Sequence, residues 1–399
     1  MGNHGFFLYH MDNDKEKAKQ AYLDERKGSV ASFAPGRIEF LGNHLDYNGG
    51  MVLGAAIDAG IYAFATPTEG DDIRLFSESF EDAVVESSLA GFSRQEGKTS
   101  WANYCLGVLK VMQEAGLAPR KGFSLTFTTD LPVSVGLSSS AALELASALV
   151  LAQLAGQELD RKELVGICRK AENEFVGVPC GILDQATSAF GKKDHLVLID
   201  CEKEDFSTLP LPPDTRLWVF DSGIKHDLVD SHYAKRHGEC QSALGCLRES
   251  GHDINYLAKA KKEWIAEDSM PENTGKRARH VVNEQARVLS FREGLASKKE
   301  VNELGLLLND SHESSSLLFE NSCPEVDFLA RKLQAHSEVL GARLTGGGFG
   351  GAVLAWTGTG FGPNDAEAIA KEHETQFDHL PSVHAFAPSN GARIKPGAA

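Results

Sequence analysis

Apolar residues along this chain switch between two periods. Over residues 122–130 they alternate, with Phe123, Leu125 and Phe127 on one side, which predicts a half-buried strand. Over residues 101–115 they recur at helical spacing (Tyr104, Val108, Val111, Met112), which predicts a helix. Residues 50–66 are apolar and rich in small and β-branched side chains, as a buried pair of strands would be. Residues 141–155 are dominated by Ala and Leu and predict a long buried helix, and residues 161–173 predict a second. Strands are expected at 195–201 and 216–221, with Leu209, Pro210, Leu211, Pro212 and Pro213 between them as a linker. Helices are expected at 231–249, 275–293, 301–313 and 323–337, and strands within 342–356. A charged amphipathic helix is expected at 14–27, ahead of a segment from residue 29 that leads into the first polar motif. There is no internal repeat and no low-complexity tract. This mixture predicts an α+β chain of two domains, residues 1–210 and 211–399, with a cleft between them.

Composition narrows the function. The chain has 399 residues, of which 42% are hydrophobic, enough to fill two cores. Its formal net charge of −16 opposes nucleic acid or an anionic membrane as the main partner, since both require clustered Lys and Arg. No apolar run reaches 18 residues, so no membrane-spanning helix is expected. The first residues lack a basic segment followed by an apolar stretch, so no signal peptide is expected and the location is expected to be cytoplasmic. The seven cysteines show no Cys-x-x-Cys pair, which predicts reduced thiols, most of them buried.

Three segments concentrate polar chemistry. Gly136-Leu137-Ser138-Ser139-Ser140-Ala141 follows a strand and opens a helix, so its backbone N–H groups and the helix dipole form an anion site with three hydroxyls beside it. It lacks the Gly-Lys-Ser/Thr of a P-loop. Gly346, Gly348 and Gly351 have Gly-x-Gly-x-x-Gly spacing, but the apolar run after them is strand-like, whereas a dinucleotide fingerprint needs a helix there. These glycines instead permit close approach of backbone to another element or a ligand. The third segment, Gly36-Arg37-Ile38-Glu39-Phe40-Leu41-Gly42-Asn43-His44-Leu45-Asp46-Tyr47-Asn48, crowds donors and acceptors of the kind that bind sugars. Asp184 lies among Gly181, Ile182 and Leu183, where a half-buried acid needs either a partner or a task; a helix cap is the structural alternative.

On these segments the chain resembles the galactokinase family of the GHMP small-molecule kinases. The likeness extends to Val178-Pro179-Cys180-Gly181-Ile182-Leu183-Asp184-Gln185, Arg279-His280-Val281-Val282-Asn283-Glu284 and Ser322-Cys323-Pro324-Glu325-Val326-Asp327, in the family's order. The resemblance implies a two-domain GHMP kinase fold with the active site in the interdomain cleft. It implies transfer of the ATP γ-phosphoryl group to the anomeric hydroxyl of a sugar, with no covalent enzyme intermediate. Asp184 would stand beside the attacking hydroxyl as base or electrostatic positioner, with Arg37 supplying the opposing charge. Gly136, Leu137, Ser138, Ser139, Ser140 and Ala141 would hold the phosphates, and Ser140 and Glu172 a Mg2+ ion. Asn43, His44, Asp46, Gly181 and Tyr233 resemble sugar contacts. Sugar and ATP would be the partners, and the chain a monomer or weak homo-oligomer.

The departure is at two positions. The family's opening signature carries Asn and Glu where this chain has Glu39 and Asn43, and Leu45 replaces Thr. The family's Glu is expected to accept a hydrogen bond from the sugar C6 hydroxyl, and relatives acting on galacturonate or arabinose lack it. Asn43 could accept that bond more weakly, or donate to a C6 carboxylate. Galactose is the first choice; a uronic acid, a pentose or another C4-axial sugar is the alternative. A non-catalytic sugar sensor is disfavoured by the intact Gly/Ser loop and by Arg37, Glu172 and Asp184.

Overall fold

The apolar run expected to be a strand pair is one unbroken strand, β2 (Met51–Pro67). In this computed structural model, which describes residues 30–80, 82–132, 136–225, 229–265 and 270–395, β2 changes partner along its length. Met51 to Gly54 pair with β6 (His195–Asp200), and Ile61 to Pro67 pair with β5 (Phe123–Thr129). Its other edge pairs with β1 (Val30–Leu41). Buried on both faces over most of its length, it shows no alternation, and this is why it resembles two short strands in sequence. The helix expected at 14–27 lies outside the described residues.

The sheet around β2 has eight strands. Its main path is β12 (Arg393–Lys395), β1, β2, β5, β3 (Asp72–Ser77), β4 (Val85–Ser88), with β6 and β7 (Asp205–Pro210) joined to β2. β3 and β5 run parallel, connected through α1 (Asn103–Glu114). α2 (Ser139–Leu154) packs against β1 and β2 and is buried on nearly every side, as a helix apolar all round must be. α3 (Arg161–Lys170) and α4 (Leu183–Phe190) complete that layer. The helix expected through residue 173 continues beyond α3 as a π-helical turn, Ala171–Val176.

Four antiparallel strands form the second sheet, in the order β11 (Ser382–Phe386), β8 (Thr215–Lys225), β10 (Gly350–Gly358), β9 (Val339–Thr345). α8 (Pro324–Gln334) and α9 (Pro363–Phe377) cover it over a core that includes Trp218, Phe220, Leu329, Phe361 and Ile369. The Pro-rich stretch is only partly a linker. Leu209 and Pro210 belong to β7, which pairs with β6 alone and so tolerates Pro, and residues 211–214 make the connection to β8. β3, β4, α9, β11 and β12 are not among the elements expected from the sequence.

Between the sheets run α5 (Val229–Glu249), α6 (Glu272–Ala296) and α7 (Val301–Ser314), the last extended by a π-helical turn, Ser315–Phe319. Phe40 of β1, Phe291 of α6 and Trp356 of β10 meet edge to face at 5.2–5.8 Å. Arg343 of β9, fully buried, donates to the Glu39 and Phe40 carbonyls and to the Glu39 carboxylate at 3.0 Å. Both contacts tie the end of β1 to the second half of the chain. All seven cysteines are free thiols, with Cys105, Cys168 and Cys240 buried and the rest half-buried. Among the described residues no helix is long and apolar enough to cross a membrane.

Candidate active site

β1 loses its register twice near its end, between Pro35 and Arg37 and between Glu39 and Leu41. Such irregularities re-aim side chains, and here two charged residues two positions apart enter the cleft from an otherwise apolar strand. Arg37 clamps Asp184 through two parallel bonds, Nε to Oδ1 at 2.7 Å and Nη2 to Oδ2 at 2.8 Å. This fork is the strongest geometry available to a guanidinium and a carboxylate. The third nitrogen, Nη1, donates to the Gly136 carbonyl at 2.7 Å, and the Arg37 backbone N–H donates to Leu137 at 3.0 Å. Ser138 Oγ donates to Asp184 Oδ2 at 2.5 Å. Arg37 thus holds the acid and the Gly/Ser loop in one frame. Asp184 stands in the first turn of α4, at its positive end, with 28% of its side chain still accessible.

The loop itself opens α2 as expected, although the helix begins at Ser139 rather than near Ala141. Gly136 and Ser138 adopt left-handed backbone, φ +72° and +54°. A cleft runs between this loop and the hairpin joining β9 to β10, with Tyr104 at its side. The hairpin glycines do permit close approach. Gly348 has φ +86°, and a Cβ there would overlap the Asn321 carbonyl. β10 follows them directly, so they form no dinucleotide fingerprint.

Beyond Asp184 lies a cavity of about 390 Å³, within the range of roughly 300–1,000 Å³ usual for small-molecule sites. Arg37, Asp184, His44, Asp46, Gly181 and Tyr233 all line it, together with Glu39 and Asn43. Gly181 is required by proximity, because a Cβ would strike the Asp46 carboxylate. Burial pushes the Asp46 carboxyl up to about 7, helped by the charges of Glu39 and Asp184. His44 stacks on Phe319 at 4.2 Å, with Nε2 at 3.1 Å from the Gly347 carbonyl and Nδ1 at 3.0 Å from the Tyr47 hydroxyl. Burial, with His280 nearby, lowers its imidazole to about 3, so the ring is neutral.

Asn43 lines the cavity but is fully buried, and its amide is saturated. Nδ2 donates to Glu39 Oε1 and to the Gly346 carbonyl, each at 2.9 Å. Oδ1 accepts from Asn321 at 3.0 Å and Ser315 at 3.3 Å. An amide has two donors and one oxygen with two lone pairs, so none is left for a sugar. The backbone around it is fixed from α6. Glu284 Oε1 accepts from the Gly42 and Asn43 N–H groups at 2.9 and 3.1 Å, and His280 reaches the Asn43 carbonyl at 3.1 Å. Against burial that would raise it, Arg287 and Arg343 hold the Glu284 carboxyl at about 2. This is the structural content of the Arg279–Glu284 motif.

Glu172 sits on the π-helical turn after α3, buried, and receives hydrogen bonds from Ser140, Cys180 and Gln185, the last at 2.6 Å. Ser140 and Glu172 are therefore brought together, next to the loop. Burial raises the Glu172 carboxyl, and the Asp184 charge adds to this.

Glu39, Gln185 and Asn321 join this site without being expected there from the sequence. For Glu39 a signal existed, a charged residue two positions from Arg37 in an apolar strand; for Asn321 there was none. A second cleft was also missed. It is lined by Ser79, Phe80, Arg94, Trp101 and Tyr104, and Tyr104 borders the loop cleft as well. Phe80 lies parallel to Trp101 at 6.2 Å.

Comparison with known proteins gives the family. Residues 103–192 match the family described as GHMP kinases N terminal domain, and residues 291–379 match GHMP kinases C terminal. Residues 19–67 match the galactokinase galactose-binding signature. The galactokinase of Thermotoga neapolitana is 36% identical over 365 residues, covering 90% of this chain and 98% of its own. That of Bacillus subtilis is 36% identical over 335 residues, covering 83% and 85%. A crystal structure of Lactococcus lactis galactokinase complexed with galactose superposes with a TM-score of 0.88 at 31% identity, covering 96% of this chain and 99% of that one.

Proposed function

This chain belongs to the galactokinase family of GHMP kinases and is a sugar kinase, and from that premise we propose the residues and steps by which it phosphorylates the C1 hydroxyl of galactose with ATP to give galactose 1-phosphate. The observation that carries this reading is the Arg37–Asp184 fork, which stands where the sugar cavity meets the Gly/Ser loop. The C1 hydroxyl lies against Asp184, which orients it and takes its proton as the phosphoryl group transfers. Arg37 offsets the carboxylate charge and keeps it aligned with the loop. His44, Asp46, Gly181 and Tyr233 form the sugar wall, and Gly136 to Ala141 receive the phosphates on free N–H groups. Positioning and charge compensation supply most of the rate in such transfers.

The base and ribose of ATP fit the second cleft, where Trp101 and Phe80 offer flat apolar faces, with Tyr104 leading to the loop. For Mg2+, the donor set is suitable. A hydroxyl and a carboxylate are hard oxygen ligands, and magnesium characteristically takes one or two such groups and completes its shell with phosphate and water. Among the described residues no group of three or more His, Cys, Asp or Glu could hold a metal. Ser140 and Glu172 would hold the ion, which when bound compensates phosphate charge. A division at residues 1–210 and 211–399 is supported by the change of sheet between β7 and β8, with β12 returning to pair with β1.

The deciding measurement is ADP release with Mg-ATP against galactose, galacturonate, arabinose, N-acetylgalactosamine and glucose, compared as kcat/KM. Galactose is expected to lead; a lead by galacturonate or arabinose would move the assignment to a sister sugar 1-kinase. A pH dependence should accompany it. Sugar hydroxyls donate to Asp46, so the ionised carboxylate binds them better, and its proton is held up to about pH 7. The kcat/KM for galactose is therefore expected to rise as pH climbs from 6 to 8, and Asp46→Asn to flatten that rise. A rise of the same size in the variant would remove Asp46 from the sugar wall.

A further inference from the structure

The cavity holds a carboxylate that the reading above does not use. Glu39 is 4% exposed, and at that depth a carboxylate is costly unless its lone pairs are met. Both donors that reach it, Asn43 Nδ2 at 2.9 Å and Arg343 Nη2 at 3.0 Å, go to the same oxygen, Oε1. Among the described residues no donor is directed to Oε2, although Glu39 forms part of the cavity wall. A buried carboxylate in a cavity wall with one oxygen left unmatched is matched by a ligand that brings a hydroxyl.

Asn43 cannot be that acceptor, since all four of its hydrogen-bonding positions are filled from the protein. Yet Asn43 and Glu39 touch. The signature quoted above carries an amide at position 39 and an acid at position 43, and here the two are exchanged. The exchange retains one acid and one amide in the same corner, with the acid now anchored by Arg343. Three protein groups fix Glu39 in place: the Asn43 amide, the Arg343 guanidinium, and the Thr345 hydroxyl, which holds its backbone carbonyl at 3.0 Å. A hydrogen-bond acceptor held this rigidly can discriminate between ligands.

We infer that Glu39 is the residue that sets sugar choice: its Oε2 accepts the hydroxyl of the sugar's C6 carbon, in place of Asn43, and repels a sugar that carries a carboxylate there. The inference rests on the sugar-kinase reading and specifies its substrate corner. The binding step is a hydrogen bond from the hydroxyl to a carboxylate, with no covalent change. A site built to hydrogen-bond a substrate hydroxyl rejects the analogue without it far more strongly than an apolar pocket rejects a missing methylene.

The test compares kcat/KM for galactose, 6-deoxygalactose and galacturonate in the wild type, in Glu39→Gln, and in the exchanged pair Glu39→Asn with Asn43→Glu. Wild type is expected to favour galactose over both analogues by roughly 10-fold or more, the loss expected for a hydrogen bond to a charged group. Glu39→Gln should lower galactose more than 6-deoxygalactose, through KM rather than kcat, and should narrow the gap to galacturonate. The exchanged pair should restore much of the preference for galactose. Equal losses for galactose and 6-deoxygalactose in Glu39→Gln would reduce Glu39 to a structural role and overturn the inference. So would a wild type that treats the two sugars alike, or prefers galacturonate, and these results need no folded variant. A wild type silent with every sugar would instead sink the sugar-kinase reading itself.

Discussion

Replacing Asp184 by Asn is expected to lower kcat with galactose by roughly 10²–10⁴-fold, the range for removing a positioned acid–base group. The galactose KM should stay within a few-fold, because the cavity wall formed by His44, Asp46, Gly181 and Tyr233, the proposed sugar contacts, is untouched. The change is nearly isosteric but exchanges an acceptor oxygen for an NH2 donor. That donor must face Arg37 or Ser138, which are donors themselves. The fork therefore loses one bond as well as its charge. Arg37→Lys provides the matching control, since it retains the charge but cannot span both carboxylate oxygens and the Gly136 carbonyl. It should also reduce kcat, and the double variant should cost far less than the product of the two single losses, as expected of groups acting as a unit. Turnover of Asp184→Asn within tenfold of wild type would remove Asp184 from the reacting centre.

The second large effect is on stability. Arg343→Met should destabilise the protein by about 3–5 kcal/mol in denaturant unfolding, the usual consequence of removing one partner of a buried ion pair. Arg343 is fully buried, and its loss removes the ion pair that the Glu39 carboxylate makes and a donor from the Glu39 and Phe40 carbonyls. Adding Glu39→Gln to this variant should recover part of the loss, because an amide tolerates burial better than an unpaired acid. A change below about 1 kcal/mol would mean that water reaches Glu39 once the guanidinium is gone, and that the pair does not hold the two halves of the chain together.

Much of the fold could be read from one dimension. The alternation of Phe123, Leu125 and Phe127 marks β5, and the Ala/Leu run from residue 141 marks α2, because burial imposes the period of each element on its own sequence. β2 resembles two strands because a strand covered on both faces for most of its length carries no such period. The two short strands near the end of the chain, β11 and β12, owe their existence to partners far away in sequence, β8 and β1, so no local pattern announces them.

The same division runs through the site. By itself the sequence determined the family and the Gly/Ser loop, whose residue types stand at short, fixed spacings, and through the family resemblance it marked Arg37, Asp184, Ser140 and Glu172 as candidates. Only the tertiary structure decided which of two polar residues, Glu39 and Asn43, keeps a hydrogen-bonding atom free in the cavity wall. Asn43 looked like the contact, but Ser315, Asn321 and Gly346, each more than 270 positions away, use up its amide. Arg343, equally remote in sequence, holds Glu39 in the wall of the cavity with one oxygen free. Hydrogen-bonding capacity is finite, and how a buried group has used it is settled by neighbours that only folding assembles.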